Sequence, residues 1–220
     1  MKKLLNGIVK FRREVLPNYR DVFSHLALGQ SPDALFISCS DSRVAVNVFA
    51  STDPGDLFVS RNVGNFVPPF RGENERNASD SVSAAVEFAL HALNVSSIIV
   101  CGHSECGAMQ ALVSGRAKIE SAYLRDWLSN GDVALKTLDS TTGNNQLARH
   151  NQLSQLNVLA QIENLKTYPA VQAKLKAGTL TLYAWWFELK QADVYSYEEA
   201  TKEFTLIDEE EAARIIERMK

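Results

Sequence analysis

No stretch of the chain approaches the roughly 18 consecutive apolar residues that a membrane-spanning helix needs. The opening Met1-Lys2-Lys3-Leu4-Leu5 imitates a leader for a moment, but Asn6, Lys10, Arg12 and Arg13 interrupt any apolar core. The expectation is therefore a cytoplasmic protein with no membrane partner. Cysteine is scarce: Cys39, Cys101 and Cys106 are all there are. An odd, small set argues against a disulfide framework and leaves core filling, metal ligation or catalysis as uses for the thiols. Basic stripes are missing too. The formal net charge is −3, and the one dense basic cluster, Lys10, Arg12 and Arg13, reads as a solvated helix face, so no nucleic-acid partner is expected. Repeats, low-complexity segments and linkers are also absent. With 45% apolar and 22% charged residues over 220 positions, the chain can bury a core without cross-links.

Residues 1–28 read as a helical arm. Leu4, Leu5, Ile8, Phe11, Val15, Tyr19, Val22, Phe23 and Leu26 recur every three to four positions, and Pro17 is expected to split the segment. Gly29-Gln30-Ser31-Pro32 breaks the pattern. Residues 29–220 then read as one α/β domain. Short apolar runs at Ala34–Ser38, Leu57–Ser60 and Ser97–Cys101 suit buried parallel strands, with Gly102 ending the third. Thr179–Phe187 is a further strand candidate. Helices are expected at Val44–Ala50, from a cap at Ser79 or Asp80 to Leu93, from about Ser104 through Val113, at Ala122–Ser129, at Gln146–Leu165, and after Asp208. Arg61–Asn77 reads as a long loop. Strands alternating with helices predict a mostly parallel central sheet flanked by helices, Rossmann-like, with sites beyond the carboxyl ends of the strands.

Two strand ends carry chemistry. His103 and Cys106, three apart in a strand-to-helix turn, can converge on one ion, and Cys39 reaches the same sheet edge if its strand is a neighbour. A Cys2His set suits zinc, and three protein ligands leave one tetrahedral position open. Taken singly, each residue is as well explained by packing; their joint placement is what points to a metal. Cys101, inside its strand, reads as packing, and its spacing from Cys106 is not that of a C-x-x-C redox pair. Asp41 lies two residues beyond Cys39, and Arg43 two beyond Asp41. An aspartate so close to the metal could coordinate it or accept a hydrogen bond from metal-bound water; Arg43 can hold the carboxylate in a bidentate pair and keep it ionised, so that it orients that solvent, and an incidental ion pair in a surface turn is the alternative.

Cys39-Ser40-Asp41-Ser42-Arg43 together with His103-Ser104-Glu105-Cys106-Gly107 resembles the signature of the β-class carbonic anhydrases. Gly29–Pro32, Pro54–Val59, Arg61–Asn65, Ala84–Ala89, Asn157-Val158 and Leu165–Trp185 resemble family segments in the same order. The resemblance implies a zinc enzyme that reversibly hydrates carbon dioxide to bicarbonate and a proton. It implies Cys39, His103 and Cys106 as ligands of Zn2+, and Asp41 with Arg43 as the catalytic dyad. It also implies Gln30, Phe58, Val63 and Phe88 as the substrate pocket, partly across a dimer interface. A homodimer or tetramer follows, with the N-terminal helices embracing a partner subunit. Phe36 and Phe187 stand where one branch of the family carries a tryptophan and a tyrosine for an inhibitory bicarbonate site, which favours the branch with water as fourth ligand. Rival functions are hydrolysis of carbonyl sulfide or carbon disulfide on the same site, and a non-catalytic zinc-stabilised scaffold or redox module. None of the histidines His25, His91 and His150 is placed by sequence as a proton shuttle.

Overall fold

The computed structural model describes residues 1–72, 81–140 and 146–219. A six-stranded sheet in the order β2-β1-β3-β4-β5-β6 organises the chain. Its strands are β1 (Ala34–Cys39), β2 (Leu57–Asn62), β3 (Ser97–His103), β4 (Thr181–Glu188), β5 (Asp193–Glu198) and β6 (Glu203–Leu206). The first four are parallel; β5 and β6 are added antiparallel at one edge. Every residue of β1 and β3 is buried, which is why both read as unbroken apolar runs rather than alternating ones: parallel strands are covered on both faces. The chain leaves β1 for the neighbour β2 on one side, then returns to place β3 on the other. That reversal opens a crevice beyond the carboxyl ends of β1 and β3.

The helices are α1 (Lys2–Lys10), α2 (Leu16–Leu26), α3 (Val46–Phe49), α4 (Ser81–His91), α5 (Gly107–Ser114), α6 (Ala122–Trp127), α7 (Asp132–Ser140), α8 (Arg149–Leu165), α9 (Pro169–Lys176) and α10 (Glu209–Arg218). Leu35, Ile37, Ile98 and Val100 of the sheet pack against Val86 and Leu90 of α4 and Val158 and Leu165 of α8, all fully buried. Each such side chain contributes about 1.5–3 kcal/mol on leaving water. A second cluster, with Phe66, Met109, Leu112, Leu128 and Leu153, surrounds Cys39 and Cys106. A third, with Phe36, Ile99, Cys101 and Phe187, lies with α3.

Several expectations need correction. Gly102 does not end β3, which runs to His103, because Gly102 and His103 still pair with Trp186 and Phe187 of β4. Gly102 serves packing instead: a Cβ there would lie 2.6 Å from Val158 Cγ2 and 3.2 Å from the Ser154 carbonyl, so its bareness lets α8 sit on the strand. The helix expected near Ser104 starts at Gly107, since Glu105 adopts a left-handed backbone (φ +54°) that no helix accommodates. The split expected at Pro17 is present, with Pro17 in the first turn of α2, but it is not a break in the helical run. A single π-turn, Phe11–Val15, precedes Pro17, with the Leu16 N–H bonded to the Phe11 carbonyl, and helix resumes at Leu16. The structure adds α7, α9, β5 and β6, and extends β2 to Asn62. The cap expected at Ser79 or Asp80 and the end of the loop at 73–77 lie outside the described residues.

The N-terminal helical run, α1 to α2, buries no residue. Leu4, Leu5, Ile8 and Val9 are exposed. Tyr19 donates to Asp53 Oδ1 at 2.8 Å, and Leu26 lies close over Gly55, where a Cβ would come within 2.6 Å of it.

Candidate metal centre

At the crevice, the last residue of β1 and the end of β3 bring three ligand atoms together. Those of Cys39, His103 and Cys106 all lie within 4.8 Å of one another and all three residues are buried. The positive φ of Glu105 is what folds the chain back so that Cys106, three residues after His103, faces the same point. The ring of His103 is oriented by its own turn: Nδ1 lies 2.7 Å from the Ser104 carbonyl. A carbonyl only accepts, so Nδ1 carries the proton and Nε2 presents a lone pair. That Nε2 is buried and has no hydrogen-bond partner. A buried, unpaired acceptor aimed at two sulfurs is costly for a folded chain and fits a soft or borderline cation. The thiols agree. Cys39 is pulled down to about 4, first by a hydrogen bond from the Cys106 thiol, while Cys106 is pushed far up by Cys39 and by burial. One thiolate forms readily and the second is opposed by the first, an opposition that a divalent cation between them removes.

Asp41 and Arg43 form the expected fork. Arg43 Nε donates to Asp41 Oδ1 at 2.9 Å and Nη2 to Oδ2 at 2.7 Å, and the Arg43 backbone N–H adds a bond to Oδ1 at 3.0 Å. The guanidinium holds the carboxyl well below the usual carboxylate range. Asp41 Oδ2 lies 4.0 Å from His103 Nε2, so the ionised carboxylate borders the ligand cluster. The same Arg43 Nη2 also donates to the Glu105 carbonyl at 3.0 Å, tying the two strand ends together. Arg61, on β2, donates to the carbonyls of Cys39 and Asp41 and fixes the turn from below.

A loop after β2 closes the other side. The Gly64 N–H points at Cys39 Sγ, 3.4 Å away. Gly64 itself (φ +86°) has no room for a Cβ, which would meet Phe66 at 2.6 Å. Asn62 bridges the loop with reciprocal bonds to Phe66, and Trp127 Nε1 donates to the Val63 carbonyl at 2.7 Å. From α8, Asn157 donates to the Gly64 carbonyl, Gln161 accepts from the Val67 N–H, and Asn164 donates to the Val67 carbonyl. These three amides recur at i, i+4 and i+7, one face of a helix.

The structure brings Val63 to this centre, between Asn62, which pairs with Cys39, and Gly64. It does not bring Gln30, Phe58 or Phe88. Phe58 pairs with Leu35 near the amino end of β1, about 13 Å of strand from Cys39, and Phe88 packs on Phe58 with ring centroids 5.6 Å apart. Gln30 is exposed ahead of β1. Cys101 is fully buried, with its thiol donating to the Gly102 carbonyl and its pKa raised by burial, in keeping with packing. His91 is exposed at the end of α4, whereas His150 Nε2 meets Glu105 Oε2 at 3.0 Å. Sequence reasoning passed over Arg61, Glu105, Asn151 and the amide stripe of α8. Amides spaced at 157, 161 and 164, on one face of a helical run, are the signal for the last.

Residues 34–194 match the family model described as carbonic anhydrase. A carbonic anhydrase of Synechococcus elongatus is 38% identical over 95% of this chain and 76% of its own length. One of Pseudomonas aeruginosa is 35% identical over 98% and 96%. The solved structure of the β-carbonic anhydrase CcaA superposes with a TM-score of 0.86 at 36% identity, covering 94% of this chain and 92% of that one. The chain belongs to the β-carbonic anhydrase family. It is an enzyme, a carbonate dehydratase. In a β-carbonic anhydrase the crevice between β1 and β3 is thus the place to look for the metal that this family depends on, and the donor set found there could hold one.

Proposed function

We propose that the enzyme hydrates carbon dioxide reversibly to bicarbonate and a proton at a zinc ion held by Cys39, His103 and Cys106. The observation that carries this is the buried, partnerless His103 Nε2 facing two buried sulfurs. Two thiolates and one neutral imidazole balance a divalent charge, and three ligands leave a tetrahedral corner for solvent. Bound there, zinc supplies the field that makes water acidic enough to serve as a nucleophile near neutral pH. The chain's own residues do the rest. Asp41, kept ionised by Arg43, can only accept a hydrogen bond; it would accept one from solvent at the metal position and so orient that oxygen's free lone pair toward substrate. Because Arg43 engages both carboxylate oxygens, Asp41 is held back from acting as a fourth ligand. The Gly64 N–H on Cys39 Sγ steadies that thiolate.

Carbon dioxide is apolar and needs an apolar enclosure, of which this chain supplies Val63 at its own centre. Gln30, Phe58 and Phe88 complete the pocket from a second copy, so the working unit is at least a homodimer. Residues 1–28 form the arm that embraces the neighbour and 29–220 the catalytic domain. Relatives from Sordaria macrospora, 27% identical with a TM-score of 0.75 over 89% of this chain, are described as tetrameric, which makes a tetramer of this chain a natural extension. Among the described residues no helix is long and apolar enough to cross a membrane, and with three free thiols a reducing cytoplasm suits the enzyme.

Metal analysis alongside stopped-flow hydration tests this. One zinc per chain, with activity lost on chelation and restored by zinc, is expected. A protein that hydrates carbon dioxide equally well after its metal is removed defeats the proposal.

A further inference from the structure

Glu105 sits between two metal ligands in a left-handed backbone that only glycine adopts freely, and it is clamped on three sides. Its N–H donates to Asn151 Oδ1 at 2.7 Å, and Asn151 Nδ2 donates back to Oε1 at 2.9 Å. His150 Nε2 meets Oε2 at 3.0 Å, and Gln110 Nε2 reaches the same oxygen at 3.4 Å. Asn151 and His150 open α8, yet Asn151 does not cap that helix: its backbone N–H bonds to the Ala148 carbonyl, and its side chain, in a residue only 8% exposed, is spent on Glu105. With its N–H and carboxylate held, Glu105 turns its own carbonyl, on the next peptide, to Arg43 Nη2. The same Nη2, together with Nε, grips the Asp41 carboxylate.

We propose that Asn151, supported by His150, is a positioning residue for the hydration step: by locking Glu105 in its left-handed conformation through its N–H and carboxylate, it places the carbonyl that aims the Arg43 guanidinium and, through it, Asp41. This deepens the reading of Asp41 given above and rests on it. An arginine whose side chain is about half exposed has many rotamers to lose, and among the described residues the carbonyl of Glu105 is the hydrogen-bond partner that anchors it to the other strand end. A left-handed non-glycine residue persists only where its surroundings over-determine it, and here the surroundings are the Asn151 and His150 side chains. The arrangement explains why a strained glutamate stands where a glycine would cost less: the glycine could make the turn but could not be clamped.

The experiment uses the zinc-loaded enzyme with Asn151→Ala, Arg43→Ala and the double variant, with zinc content, kcat and KM measured for each. Asn151→Ala is expected to lower kcat ~10-fold with KM within about 2-fold and zinc retained, as misorientation of a reacting group does. The double variant should match Arg43→Ala alone, since both act through one element. Solvent exchange of the Arg43 Nε–H, identified by its loss in Arg43→Ala, should quicken in Asn151→Ala. Glu105→Gln, which can keep the clamp, should hold most of the rate, and Glu105→Gly, which eases the backbone but abolishes the clamp, should lose it; this pair decides the matter if Asn151→Ala fails to fold. Unchanged kcat in Asn151→Ala, full multiplication of losses in the double variant, zinc lost from Asn151→Ala, or an active Glu105→Gly each overturns the proposal. Full activity of Asp41→Asn would instead overturn the role of Asp41, while the exchange of the Arg43 Nε–H would still report whether the clamp holds the guanidinium.

Discussion

At the carboxyl end of β1, Cys39 is enclosed by its own chain: Gly64 faces its sulfur, Arg61 holds its carbonyl, and His103 and Cys106 complete the cluster from β3. At the amino end of the same strand, Gln30 and Phe88 stand exposed and a helical run of 25 residues, Lys2–Leu26, buries nothing. The first region spends buried polar groups on geometry, and its amides and carbonyls are paired almost throughout. The second leaves much of its apolar surface exposed, with few contacts within the chain such as Phe88 on Phe58 and Leu26 over Gly55. Bond-making atoms must be held to fractions of an ångström, which favours rigid strand ends in one chain. An apolar wall for a small uncharged substrate needs only area, and a neighbouring copy can supply it.

That contrast can be broken at its strongest point first. Cys39→Ala, His103→Ala or Cys106→Ala should lose zinc and hydration together, by ~10³-fold or more, as metal analysis and stopped-flow assays would read. A variant that keeps both would mean the closed end is not the reactive one. Asp41→Asn should keep zinc yet lose ~10²-fold in rate at neutral pH, because the amide can donate as well as accept and no longer selects one orientation of the attacking oxygen. Full activity there would leave the carboxylate an incidental ion pair. Deleting residues 1–28 tests the open end. Light scattering should report a smaller assembly, with kcat/KM down ~10-fold and zinc unchanged. An unchanged assembly with full rate would show that the amino end is complete without a neighbour.

The closed end was largely legible in the sequence, and for a physical reason. β1 and β3 are buried on both faces, so their runs are largely apolar, and the three candidate ligands sit where those runs stop. The dyad was legible because Asp41 and Arg43 are two apart and their fork is local. What was not legible is long-range or atypical. Glu105 in a left-handed backbone leaves no compositional mark, so the helix was placed three residues early. Asn151 acts 46 residues away from Glu105. Strands β5 and β6 carry Asp and Glu among Tyr and Phe, being partly exposed at the sheet edge, and short charged strands look like loops. α9 buries Val171 alone, too little for an apolar stripe. A glycine usually interrupts a strand, so Gly102 reads as a strand end; its reason lies far along the chain in α8, whose Ser154 and Val158 sit on it.

The smallest effect is the most discriminating between the two ends. Phe88 is 47% exposed in this chain and touches Phe58. If the ring faces only water, Phe88→Ala removes part of one aromatic contact and costs about 1 kcal/mol of folding stability, with kinetics unchanged. If the ring lines a pocket formed with a second copy, the same truncation raises KM ~3-fold while zinc and kcat stay put, and thermal melting becomes more dependent on protein concentration because the interface is weaker. Tyr123→Ala is the control: that ring is 92% exposed on α6, makes no ring contact among the described residues, and should change neither quantity. An equal response from the two variants would mean that the exposed aromatics at the amino end are ordinary surface, and that the substrate pocket is built from some other part of the molecule.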